Sequence, residues 1–170
     1  MNKHSRNAAL IIRLATFDDI PLIQYIVNKT WPAAYTGILG EEQVRYMLDL
    51  FYNTASLTEQ MQNKHIFLIA SKDNETIGFA SFSNLYNSIY KLQKLYVLPD
   101  KQQTGAGKAL LQKVEEEAKS LGAAKLQLNV NRNNIAKAFY EKNAYTVIDQ
   151  ADIDIGKGYF MNDYIMEKDL

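Results

Sequence analysis

Between Leu95 and Leu121 the sequence changes its hydrophobic period once and abruptly. Leu95-Tyr96-Val97-Leu98 is a compact apolar run that stops at Pro99. Leu110, Leu111, Val114, Ala118 and Leu121 then recur with the spacing of one helical face, and Gly122 supplies the stop. Lys125 to Val130 reads as the next strand. A strand, a long amphipathic helix and a strand in direct succession require the helix to cross over the sheet. The join between the first strand and the helix is Gln102-Gln103-Thr104-Gly105-Ala106-Gly107-Lys108.

The flanks extend this into a mixed α/β pattern. Ala8 to Leu14 predicts a first strand. Thr16 offers an N-cap for a helix with Asp18 and Asp19 in its first turn and Ile20, Ile23, Ile26 and Val27 on one face. Trp31-Pro32 is expected to end it. A second helix is expected from Gly40-Glu41, with Val44, Met47, Leu48 and Phe51 inward, and Ser56 with Glu59 resembles a capping box for a third. Ile66 to Ala70 and Thr76 to Ser83 predict a hairpin about Asp73-Asn74. Ile89 to Leu98 is the third strand of this set. Its last part abandons strict alternation, which leaves two readings, burial on both faces or a bulge. Ile135 to Lys142 reads as a short helix, and strands are expected near Tyr145 to Asp149 and Tyr159 to Glu167. The order is strand, helices, three strands, helix, strand, helix, two strands. No repeat or low-complexity linker interrupts it, so one domain over 1–170 is expected.

Composition narrows the function classes. Lys+Arg and Asp+Glu are both 19, a balance that argues against a general nucleic-acid or membrane binder. There is no cysteine, so disulfides, thiolate metal sites and cysteine nucleophiles are excluded. The polar start from Met1 to Ala9 and the short run Leu10-Ile11-Ile12 do not make a signal segment, and no apolar run approaches a membrane span. A cytoplasmic protein is the expectation. His4 and His65 are isolated, and Asp152 with Asp154 reads as a pair of loop acids, so no metal site is expected.

The Gln102 to Lys108 join has a chemistry of its own. A helix N-terminus offers unpaired N–H groups and a positive dipole end, which suits a pyrophosphate. Gly105 and Gly107, with Ala106 between them, would let successive amides approach phosphate oxygens, and Lys108 adds charge. On the glycines alone, a turn that needs them only for backbone geometry is an equal reading. A P-loop would need Gly at Gln102 and Ser or Thr at Ala109, and a dinucleotide fingerprint would need Gly at Leu110. Downstream, Asn133 is placed to cap a helix or to bond a ligand. Phe139 and Tyr140 fall on different helical faces, so one can fill the core while the other meets a cleft. Taken alone, Tyr140 reads as a packed aromatic.

Leu95-Tyr96-Val97-Leu98-Pro99, Gln102-x-x-Gly105-x-Gly107 with Lys108-Ala109-Leu110-Leu111, and Asn133-x-x-Ala136-x-x-Phe139-Tyr140-Glu141-Lys142 stand here in one order. Together they resemble the GNAT N-acetyltransferases. The Gly158-Tyr159-Phe160-Met161 and Asp163-Tyr164-Ile165-Met166-Glu167-Lys168 ending is similar to the PaiA-type polyamine acetyltransferases.

The resemblance implies a central, mostly antiparallel sheet of about seven strands with a splayed central pair, flanked by helices. It implies acetyl-CoA as cosubstrate and acetyl transfer to a primary amine of a small molecule, polyamines among the candidates. A protein N-terminus or lysine as acceptor, and a non-catalytic acyl-CoA-binding sensor, are the alternatives. By similarity, the backbone of Leu95, Tyr96 and Val97 would pair with the pantetheine arm. Gln102, with the amides of Gln103, Thr104, Gly105, Ala106, Gly107 and Lys108, would hold the pyrophosphate. Asn133 would bond the pantetheine region, and Tyr140 would protonate the leaving thiolate. Many relatives carry a glutamate on the central strand as base, whereas Lys91, Gln93 and Lys94 stand here. The base is left to water, a backbone carbonyl, or Glu41 or Glu42. Trp31, Tyr35, Glu41, Glu42 and Tyr159 are candidates for the acceptor site, each with a plainer packing or helix-dipole role. Any oligomer is expected to be a homodimer.

Overall fold

The computed structural model describes residues 9–170, so Ala8, where the first strand was expected to begin, the polar start as far as Ala8, and His4 lie outside the described residues. The strands are β1 (Ile11–Leu14), β2 (Ile66–Lys72), β3 (Glu75–Tyr86), β4 (Ile89–Val97), β5 (Lys125–Asn131), β6 (Thr146–Gly156) and β7 (Tyr159–Asp169). They form one seven-stranded sheet in the order β1-β2-β3-β4-β5-β7-β6. Every pairing is antiparallel except β4 with β5. The helices are α1 (Ile20–Leu39), α2 (Glu41–Tyr52), α3 (Thr54–Gln62), α4 (Ala106–Ser120) and α5 (Ala136–Lys142). The α4 crossover makes the parallel pair possible, since parallel strands cannot be joined by a tight hairpin.

Two apolar layers sandwich the sheet. On one side Leu110, Leu111, Val114 and Ala118 of α4 pack on Leu68, Ala80, Phe82 and Leu92. On the other, Ile23, Ile26, Val27 and Trp31 of α1 pack with Met47, Leu57, Phe67, Ile69 and Phe79. Each large aliphatic side chain buried this way contributes roughly 1.5–3 kcal/mol. The β2–β3 hairpin turns where expected: Asp73 and Asn74 have φ of 54° and 64°, the left-handed pair that a tight hairpin turn requires.

Three helix boundaries differ from expectation. Asp18 and Asp19 lie in a short 3-10 turn, Phe17–Asp19, and α1 begins only at Ile20. α1 does not end at Pro32 but runs on to Leu39. The proline ring removes one backbone bond, yet the turn beyond it is held by packing. Trp31 is buried, and Tyr35 lies against it with ring centroids 4.7 Å apart. Gly40, at φ 82°, finally stops the helix. α3 is capped by Asn53 rather than Ser56. The Asn53 side chain accepts from the Ser56 N–H at 2.8 Å, while the Ser56 hydroxyl donates to the Leu50 carbonyl.

The central strand β4 satisfies both readings of its broken alternation. Ser81 pairs with Lys94 but Phe82 pairs with Leu92, so Gln93 is an extra residue, a bulge. Tyr90, Leu92, Leu95 and Val97 therefore face α4, while Tyr96 joins the layer under α1. Gly78 of β3 lets the strands pack here, because a Cβ would sit 2.7 Å from the Tyr96 carbonyl oxygen.

Candidate functional site

β4 and β5 pair only from Ile89↔Lys125 to Leu92↔Leu128. Beyond that point the bulge at Gln93 turns β4 away, although both strands continue. The gap opens into a groove of about 810 Å³ between the two strands, within the usual range for a ligand site. Leu95, Tyr96 and Val97 line one wall with a strand edge that has no partner on the β5 side. A chain that binds there can add main-chain hydrogen bonds as a further strand does.

The groove runs to the N-terminus of α4. Gln102, Gln103, Gly105, Gly107 and Lys108 line it, whereas Thr104 and Ala106 do not. The Thr104 hydroxyl is spent on the Lys101 carbonyl at 2.7 Å, and Ala106 is buried beneath the turn. Gln102 Nε2 donates to the Val97 carbonyl at 3.2 Å, tying the turn to the strand end. Among the described residues, no protein acceptor takes the amides of Gln103, Thr104, Gly105, Ala106, Gly107 or Lys108. A run of free amides at a helix start attracts an anion.

The two glycines have separate reasons. Gly105 has φ 84°, a conformation that requires glycine or strain. At Gly107 an added Cβ would meet only Phe139 at 3.8 Å and Val97 at 3.9 Å, ordinary contacts. Nothing in the protein itself therefore demands glycine at Gly107.

At the far end of the groove, Tyr140 of α5 is packed edge-on to Phe139 and Tyr145, with centroids 5.2 and 6.0 Å away. Burial, with the nearby Tyr35 phenol, pushes its pKa well above the usual value for tyrosine. The hydroxyl thus keeps its proton at neutral pH. Asn133 lies exposed on the groove rim. Helix capping falls instead to Asn134, whose Oδ1 accepts from the Ala136 N–H at 2.9 Å. Asn134 also donates to the Tyr35 hydroxyl at 3.4 Å.

A second chamber, about 210 Å³, adjoins the groove on the α1–α2 side. Trp31, Tyr35, Tyr52, Lys91, Lys94 and Asp163 are among its walls. Tyr35, Gln93, Lys94, Tyr96 and Asn129 border both spaces and mark where they meet. The Tyr35 and Tyr96 hydroxyls lie 3.3 Å apart at this junction. Burial pulls the Lys94 pKa down to about 8, helped by the charge of Lys91. Asp163 is buried, accepts from Asn129 Nδ2 at 3.3 Å, and has its pKa raised by burial.

Trp31 and Tyr35 thus reach the chamber, but Glu41, Glu42 and Tyr159 do not. Glu41 pairs with Arg45 on the exposed start of α2, and Tyr159 packs on Tyr46. Neither glutamate is placed as a base. Asp152 and Asp154 are not loop acids but stand on β6, which runs past the expected Asp149 to Gly156; Asp152 pairs with Arg132, and Asp154 accepts from the Gly156 N–H. Tyr52 and Asp163 were missed in the sequence, because long-range packing of α2 on Trp31 and pairing of β7 with β5 bring them in. The break in alternation along β4 was the available signal for the lysines.

A family model for the acetyltransferase (GNAT) domain matches residues 37–159. The chain belongs to the GNAT acetyltransferase family. It is an acetyl-CoA-dependent N-acetyltransferase. Among similar GNAT proteins is the spermidine N(1)-acetyltransferase of Thermoplasma acidophilum, 28% identical over 163 residues, 92% of this chain and 95% of that one. The [ribosomal protein bS18]-alanine N-acetyltransferase of Haemophilus influenzae is 29% identical over 135 residues, 79% of this chain and 87% of its own. The crystal structure of the PaiA N-acetyltransferase from Thermoplasma acidophilum in complex with coenzyme A superposes with a TM-score of 0.80 at 27% identity. That match covers 95% of this chain and 99% of the other.

Proposed function

We propose that the chain transfers the acetyl group of acetyl-CoA to a primary amine of a small molecule, with the cofactor in the groove and the acceptor in the chamber. The observation that carries this is the run of unpaired amides from Gln103 to Lys108, at the end of a strand edge that is itself unpaired. The amides receive the pyrophosphate, Lys108 adds charge, and Gly107 leaves room for the phosphates. Leu95 to Val97 pair with the pantetheine arm, and Asn133 offers its exposed amide to it.

The amine reaches the thioester carbonyl through the junction at Gln93 and Asn129. Backbone amides along β4 stabilise the charge that develops on the carbonyl oxygen. Tyr140, holding its proton at neutral pH, gives it to the departing sulfur as the C–S bond breaks, and the proton lost by the attacking nitrogen passes through water and restores the phenol. Two names among the relatives supply candidate acceptors, spermidine and the alanine of a ribosomal protein. The chamber is smaller than the roughly 300 Å³ at which drug-sized sites begin, which favours a compact molecule over a folded protein.

The test is calorimetric titration with CoA and with ATP, followed by acetyl-CoA turnover against amines, amino acids and peptides. CoA is expected to bind at micromolar concentration and ATP far more weakly. Absence of CoA binding at millimolar concentration would remove the groove from the reading.

A further inference from the structure

The acceptor chamber holds positive charge that the protein does not neutralise. Lys91 and Lys94 both line it. Residues three apart on a regular strand face opposite sides, and the Gln93 bulge is what brings these two to one side. Among the described residues, neither ammonium lies within ion-pair distance of a carboxylate. Lys94 rests over the Tyr52 ring at 5.3 Å. Asp163 is the one carboxylate in the chamber wall; it accepts from Asn129, and it sets one negative charge, shared with Arg132, against Lys91, which leaves Lys94 with none. His65 brings no anion, and burial and the two lysines hold it towards its neutral form. Burial lowers the pKa of both lysines, with Asp163 opposing this only at Lys91. Half-buried cations without partners are unfavourable unless something else supplies the missing charge.

We infer that the acceptor is a compact amine that also carries an anionic group, a carboxylate or a phosphate, which docks between Lys91 and Lys94 while its amine points to the junction at Gln93 and Asn129. The inference rests on the transferase reading of the groove and chamber. A linear polyamine supplies no anion and would bring further cations against the lysines.

Trp31 lines the chamber and is the only tryptophan in the sequence, so its fluorescence reports occupancy without turnover. The CoA-saturated full chain is titrated with glycine, β-alanine, 4-aminobutyrate, O-phosphoethanolamine, butylamine, putrescine and spermidine. Thiol release from acetyl-CoA is followed with the same compounds. 4-Aminobutyrate and putrescine share a chain length and differ in the charge at one end. At least one anionic amine is expected to bind tenfold or more tightly than butylamine, putrescine and spermidine. Lys91→Gln and Lys94→Gln are each expected to weaken that ligand tenfold or more, and Lys91→Gln, whose side chain does not line the groove, to leave CoA affinity unchanged. The inference is overturned if putrescine or spermidine binds as tightly as every anionic amine. It is equally overturned if no anionic amine moves the signal, or if both lysine variants bind as the parent does. Saturable binding of an anionic amine without thiol release would instead overturn the placing of the acceptor in this chamber and leave the anion site standing.

Discussion

Tyr140 reaches the groove on a ring fixed by Phe139 on one side and Tyr145 on the other. Burial keeps its hydroxyl protonated, so it can act as a donor but not as a base at neutral pH. Tyr140→Phe keeps the ring and its packing and removes only the hydroxyl. Turnover is expected to fall by about 10²–10⁴-fold, the usual contribution of a positioned proton donor. CoA affinity and the melting temperature should stay close to the parent's. Parent-like turnover in a folded variant would transfer the proton donor's role to water. At this scale the sequence was legible where local chemistry decides. Tyr140, Gly105 and Gly107, singled out by their motifs, all line the groove. Asn133 was read as both cap and ligand, but Asn134 caps the helix, because two adjacent asparagines look alike until the backbone fixes which side chain turns back. Asp163 was not legible, since only the β5–β7 pairing carries it beside Asn129.

The turn into α4 separates a glycine that its backbone requires, Gly105, from one that no protein contact requires, Gly107. Gly107→Val places a branched side chain in the groove, towards Phe139 and Val97, where the proposed pyrophosphate approaches. Its Cβ meets only ordinary contacts, and valine is the better helix former, so melting should be unchanged or slightly higher. CoA affinity is expected to fall tenfold or more by calorimetry. Gly105→Ala should do the reverse at the level of the fold, losing roughly 1 kcal/mol of stability because φ is positive there. Equal CoA affinity in the parent and Gly107→Val would reduce the turn to plain backbone geometry. Element boundaries were legible wherever a local signal was unopposed, as at Asp73-Asn74 and Gly122. They failed at Pro32, where burial of Trp31 against Tyr35 and Tyr52 outweighs one missing backbone bond. The bulge in β4 was foreseen as one of two readings. Its place could not be, because it is set by pairing with β3.

Across the whole molecule, the order of elements followed from alternating periods and from the crossover that α4 imposes, and the splay followed from family resemblance alone. What the linear pattern could not show is that two lysines of one strand share a chamber at the expense of stability. Lys94 ionises near 8 in the folded chain, whereas an unfolded chain returns it to about 10.4. Between those values the unfolded state binds the extra proton, so folding stability rises with pH across that window. The contribution is fully present above the unfolded value and is lost as pH falls through the folded one. At pH 7 the folded ligand-free protein therefore carries a penalty of about 3 kcal/mol from this group. Lys94→Met keeps much of the volume and removes the charge. In urea titrations the variant should be more stable than the parent at pH 7, and the difference should shrink towards zero by pH 11. Reading the change as variant against parent cancels the other groups that titrate in alkali. A variant less stable than the parent at pH 7 would mean that Lys94 is held by contacts favourable enough to offset its burial. The Tyr52 ring below it is the first place to look for them.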